Sequence, residues 1–125
     1  MAVIALLLLS GCSAVRFDLA GRQLSIEPLS SERVEISRAY VRMAGSRIEI
    51  HGTLQARRTT QTMPAGHVVI RVIDSSGAQL TEARTDYHRT TGKLFKKSQQ
   101  YSFSVTLPSV PPQGSTIRVM FDEAS

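Results

Sequence analysis

Between Arg47 and Ala56 the chain alternates without a fault. Ile48, Ile50, Gly52, Leu54 and Ala56 take one parity, while Arg47, Glu49, His51, Thr53 and Gln55 take the other. An extended backbone turns successive side chains to opposite faces, so this pattern specifies a β-strand with one face in a core and one in water. The same rhythm recurs at Tyr101-Phe103-Val105-Leu107 and at Ile117-Val119-Phe121. Val34 and Ile36 set one parity, which passes to the other at Ala39, Val41 and Met43. Either a β-bulge near Ser37-Arg38 or two strands joined by a bend accounts for the switch. Val68 to Ile73 is an almost continuous apolar, β-branched run, the mark of a central strand covered on much of both faces.

Turn chemistry separates these runs. Ala44-Gly45-Ser46 and Asp74-Ser75-Ser76-Gly77 read as turns, and in the second Asp74 is placed to accept hydrogen bonds from the turn backbone. Arg57 to Gly66 is polar and reads as a loop, as does Arg89 to Gln100, while Pro108, Pro111, Pro112 and Gly114 stop the strand before them. A returning strand through Leu80 and Ala83 follows the Asp74 turn. Val15 to Ile26 holds two short alternating pieces around Ala20-Gly21-Arg22, either a small hairpin or a tether, and Pro28, Ser30 and Ser31 break the pattern after it. Six or seven short strands without an amphipathic helix make an all-β, antiparallel two-layer β-sandwich, and immunoglobulin-like and transthyretin-like strand orders both fit. With 125 residues and no Trp, the core of this single domain has to come from Val, Ile and Leu.

The chain opens differently. Ala2 to Leu9 is an unbroken apolar run, too short to cross a bilayer as a helix, for which about 20 residues are needed. It has the length of the apolar part of an export signal. Leu9-Ser10-Gly11-Cys12 resembles the lipobox of bacterial membrane lipoproteins at all four positions. That resemblance implies removal of residues 1–11 and a diacylglyceryl and N-acyl group on Cys12, the single cysteine, with no other cofactor. An acylated cysteine also resolves the oddity of an unpaired cysteine in an exported chain. The competing reading keeps the run as a buried strand or turn, with Cys12 as a small core residue. Nothing basic precedes the run, a departure from such leaders that a start upstream of Met1 would explain. Ser13, where Asp favours inner-membrane retention in these lipoproteins, implies the periplasmic face of the outer membrane. The resulting division is a leader at 1–11, an acylated N-terminus and tether at 12–32, and the sandwich at 33–125.

Val41 to Phe121 also resembles the FxLYD type of bacterial immunoglobulin-like domain. Ile48-Glu49-Ile50-His51-Gly52 sits at its first strand, and Ile70-Arg71-Val72-Ile73-Asp74 with Gly77 at its signature. Ser102 to Pro108 and Ile117 to Phe121 sit at its last two strands. Ile, Val and Ile stand where the signature has Phe, Leu and Tyr. The resemblance implies an immunoglobulin-like sandwich and brings no catalytic residues.

Every charged residue follows Cys12, so the formal charge of +5 belongs to the mature domain. Such a charge suits anionic lipid or an acidic partner, and export argues against nucleic acid outside a DNA-transfer apparatus. His51, His67 and His88 lie in different segments without zinc-site spacing, and Met63 near His67 is the only hint of a soft-metal site. No serine sits in a Gly-x-Ser-x-Gly elbow and no phosphate-binding glycine loop is present, so the reading is non-catalytic. The basic residues Arg57, Arg58, Arg84, His88, Arg89, Lys93, Lys96 and Lys97 fall around two loops, with Leu94 and Phe95 between cations. Arg89, Lys93, Leu94, Phe95, Lys96 and Lys97 are therefore the expected docking loop, the alternative being an ordinary solvated hairpin end with Phe95 folded onto the sandwich. The expected function is a lipid-anchored envelope protein that binds another protein, as part of a secretion, pilus or conjugation assembly. The alternative is a periplasmic module that holds a small molecule, glycan or metal.

Overall fold

The computed structural model describes residues 14–57, 63–89 and 100–124. Among these described residues nine strands are formed: β1 (Val15–Leu19), β2 (Arg22–Leu29), β3 (Val34–Ala44), β4 (Arg47–Ala56), β5 (Gly66–Ile73), β6 (Gln79–Thr85), β7 (His88–Arg89), β8 (Gln100–Leu107) and β9 (Thr116–Glu123). They make a five-stranded sheet in the order β1-β2-β9-β5-β6 and a four-stranded sheet in the order β3-β4-β8-β7. The fold is an all-β sandwich. Its core is one cluster between the sheets, in which Ile48, Ile50 and Leu54 of β4 meet Val68, Ile70 and Val72 of β5 and Ile117 and Val119 of β9. These are the inward parities read from the sequence, so burial of alternate residues is the main force holding the layers together.

The strand order shares most of its neighbours with the immunoglobulin arrangement. In that topology four strands pair as A-B-E-D and the facing sheet carries C next to F, with C′ beside C. Here β3-β4-β8-β7 fill the first set and β6-β5-β9 fill the C′-C-F positions. What departs is the place beside F. An immunoglobulin domain puts its last strand there, antiparallel; in this chain β2 occupies it, running parallel to β9 from Ser25–Thr116 to Leu29–Met120. It is the one parallel pair among the described strands.

The N-terminal segment is thus a structural hairpin and not a tether, and the sandwich begins near Val15 instead of residue 33. Leu24 and Ile26 are buried. The turn between β1 and β2 holds both Ala20 and Gly21 at positive φ (53° and 77°), the type I′ geometry that two-residue hairpin loops prefer. An Ala in that region costs roughly 1–2 kcal/mol, so Ala-Gly is a weak signal for this turn. Pro28 does not end the strand either. Ser25 N–H reaches Ser115 O across to β9, so alternate residues 26 and 28 turn their backbone groups towards β1. The last β1–β2 pair is Val15–Ile26, so the N–H that Pro28 lacks falls beyond that ladder.

The parity switch in β3 is a bulge inside one strand. Ile36 pairs with Leu54 but Arg38 with Thr53, leaving Ser37 as the extra residue. Its hydroxyl lies 2.9 Å from Thr53 Oγ1. The Asp74 turn is built as read: Asp74 Oδ1 accepts from the Ser76 hydroxyl (2.6 Å), Ser76 N–H (2.9 Å) and Ala78 N–H (2.9 Å). The Ser76 hydroxyl first, then the Ala78 amide, hold the Asp74 carboxyl below its ordinary pKa. A lowered native pKa contributes stability that is present above the unfolded value and fades as pH falls through the native one. Asp74→Ala should therefore be less stable than the parent at about pH 6, with the gap shrinking towards about pH 2. Urea midpoints of both proteins across that range measure it; a constant gap refutes the role.

Candidate functional site

Two regions of the surface are candidates for a functional site. The first is the pole of the sandwich at which the chain enters. β1 runs antiparallel to β2, so the residues before Val15 lead towards the end where Leu29, Gly66 and Glu123 lie. In the other sheet Val34, Ala56 and Gln100 end at the same pole. The two basic loops of the sequence also leave from it, one after Arg57 and the other after Arg89. Cys12, Arg58, Lys93, Leu94, Phe95, Lys96 and Lys97 lie outside the described residues. Arg89 is described, exposed on β7 opposite Tyr101.

The described cations at this pole are largely engaged. Arg33 pairs with Glu123 at 3.0 Å, which ties the β2–β3 connection to β9. Arg84, grouped by sequence with the basic loop, pairs with Asp122 at 3.2 Å and Glu82 at 3.5 Å on the outer face of the five-stranded sheet. Arg57 Nε donates to Ser31 O at 2.7 Å. His67 lies 3.5 Å from Asp86, and Met63 packs against the core. Tyr87 closes the pole from inside: its hydroxyl donates to Pro64 O at 2.9 Å and its ring packs edge-on against Tyr101. Burial raises the Tyr87 pKa, in keeping with a phenol that must stay protonated to donate.

The second region is the outer face of the four-stranded sheet. Strand register sets its side chains in rows. Arg38, Thr53, Ser102 and His88 form one row; Tyr40, His51 and Ser104 form the next; Arg42, Glu49 and Thr106 form the third. The rows are locked by contacts along and between them. The Tyr40 and His51 rings stack with centroids 5.4 Å apart and planes 15° apart. The Arg38 guanidinium lies 5.1 Å from the Tyr40 centroid. Glu49 Oε1 is 2.9 Å from His51 Nε2 and accepts from Arg42 Nε at 2.9 Å. The His51 contact first, then Arg42, hold the Glu49 carboxyl below the usual carboxylate range.

A shallow depression of about 250 Å³ opens on this face, lined by Arg38, Tyr40, His51, Thr53, His88, Ser102 and Ser104 with the Gly52 and Phe103 positions. No carboxylate lines it among the described residues. The sequence reading grouped His88 with the basic loop and left Arg38 and Tyr40 unassigned. The signal was present in part: the two-residue turn after Ala44 makes Ala44 face Arg47, and counting back sets Tyr40 against His51. The neighbours from β8 and β7 have no such local clue. Comparison with protein-family models, with curated proteins and with solved structures gives no match for this chain.

Proposed function

We propose that this chain is a non-catalytic bacterial envelope lipoprotein, anchored through acyl chains on Cys12 and acting as a protein-interaction or structural component. The reading rests on Leu9-Ser10-Gly11-Cys12 at the end of the apolar run, with an exported single-cysteine β-sandwich behind it. It gains support from the spacing that follows. Only Ser13 and Ala14 separate Cys12 from β1. Three residue steps span roughly 10 Å at full extension, so a lipid on Cys12 would hold the entry pole against the headgroups without a flexible spacer. The loops that leave this pole carry Arg57, Arg58, Arg89, Lys93, Lys96 and Lys97 in the sequence, the charge expected of a surface that rests on anionic lipid. Two acyl chains already make attachment stable, so these cations would orient the domain more than retain it. Ser13 favours the periplasmic face of the outer membrane. A place in a secretion, pilus or conjugation assembly fits such a module as fold-level analogy.

Cys12→Ala tests the anchor in cells. The parent should take up a palmitate label and fractionate with membranes, and the variant should take up none. Palmitate labelling of the variant equal to that of the parent would sink the assignment.

A further inference from the structure

We infer that the depression on the outer face of the four-stranded sheet is a binding site for a small oxyanion, a phosphate or carboxylate group held by Arg38 and His88 beside the Tyr40 ring. The site is independent of the lipid anchor. Its lining is one-sided: Arg38 and His88 bring nitrogen donors, Thr53, Ser102 and Ser104 bring hydroxyls, and no acid intrudes among the described residues. The nearest carboxylate along the rows, Glu49, is already engaged by His51 and Arg42.

Arg38 is the decisive residue. Five other described arginines, Arg33, Arg42, Arg71, Arg84 and Arg118, pair with acids on the surface. Arg38 lies instead against the Tyr40 ring, which stacks in turn on His51. A guanidinium laid on an aromatic face keeps its planar fork of donors for a partner with two oxygens, and much of its side-chain entropy is spent before a ligand arrives. The bulge at Ser37 sets Arg38 opposite Thr53, in the row that ends at His88. The volume, about 250 Å³, is below the ordinary range of drug-sized pockets, so it suits a single charged group or a small solute. A dissolved phosphate and a lipid headgroup share this chemistry.

The test uses the full-length chain, isotopically labelled, in non-ionic detergent. Its NMR signals are followed while inorganic phosphate, acetate or short-chain phosphatidylglycerol is added. Saturable shifts at Arg38, His51 and His88 are expected with at least one probe. A response to phosphate or acetate identifies a solute site, and a response to phosphatidylglycerol alone identifies a headgroup site. Arg38→Ala should weaken the binding ~tenfold or more and Arg38→Lys less, while Arg16→Ala on β1 leaves it unchanged. His88→Ala supplies a second loss that does not disturb the Tyr40 stack. Shifts that never saturate with any probe, or an affinity unchanged in both Arg38→Ala and His88→Ala, overturn the inference. Because no readout involves the membrane anchor, failure here leaves the lipoprotein reading standing.

Discussion

A chain that starts at Arg33 does not fold cooperatively. It retains β3 to β9 and the turns between them, but it loses the strand beside β9. Leu24 and Ile26 are almost fully buried, and burying such side chains contributes about 1.5–3 kcal/mol each. The same hairpin fastens the proline-rich connection before β9. Gly114 N–H donates to Gln23 O at 2.8 Å, Gln23 N–H to Gln113 Oε1 at 2.7 Å, and Arg22 reaches Val110 O at 2.9 Å. Its removal also exposes a row of unpaired backbone groups on β9 and uncovers Ile117. Together these losses approach the whole stability of an ordinary domain, about 5–15 kcal/mol. The comparison is a chain starting at Ala14, which should unfold in one transition in urea. A single cooperative transition of equal steepness in the shorter chain would refute the structural role of β1 and β2.

Gly52→Ala should be strongly destabilising although it adds only one methyl group. Gly52 sits on the buried face of β4, directly opposite Phe103 of β8. A Cβ built there would lie 2.5 Å from two carbons of the Phe103 ring and 2.5 Å from the Arg38 carbonyl. The ring lies over the glycine, and the bulge in β3 brings the Arg38 carbonyl to the other side. Overpacking of this kind costs about 1–3 kcal/mol for one methyl, and Gly52→Val should cost more. Adding Phe103→Leu should recover part of the loss and not all of it, because the backbone carbonyl stays in place. Chemical denaturation of the single and double variants measures the coupling. If Gly52→Ala falls within about 0.5 kcal/mol of the parent, the close approach has no energetic consequence.

Much of this architecture was legible in the residues. The alternation of Arg47–Ala56 placed β4, and the shifted parity at Ser37-Arg38 marked an irregularity that the strand pairing resolves as a bulge. The Asp74-Ser75-Ser76-Gly77 turn placed the β5–β6 hairpin. Each signal is local, contained in fewer than about a dozen residues, and each reports which side of one strand meets the core. The sequence left the N-terminal segment open between hairpin and tether because Ala20-Gly21 lacks the turn residues that announce a type I′ loop, and because Pro28 reads as a breaker unless its neighbour strands are known. The anion site was hidden for a related reason. Arg38, Tyr40, His51 and His88 look like ordinary solvent-facing residues in three separate runs.

Strand class, face assignment and the turns were written into short windows of the chain, since alternation and turn chemistry act between near neighbours. The place of β2 beside β9, and the placing of Arg38 and His88 around one depression across three strand pairings, depend on partners far apart in sequence. Such partners are selected by the packing of two sheets on one core, and no short window of residues contains that information.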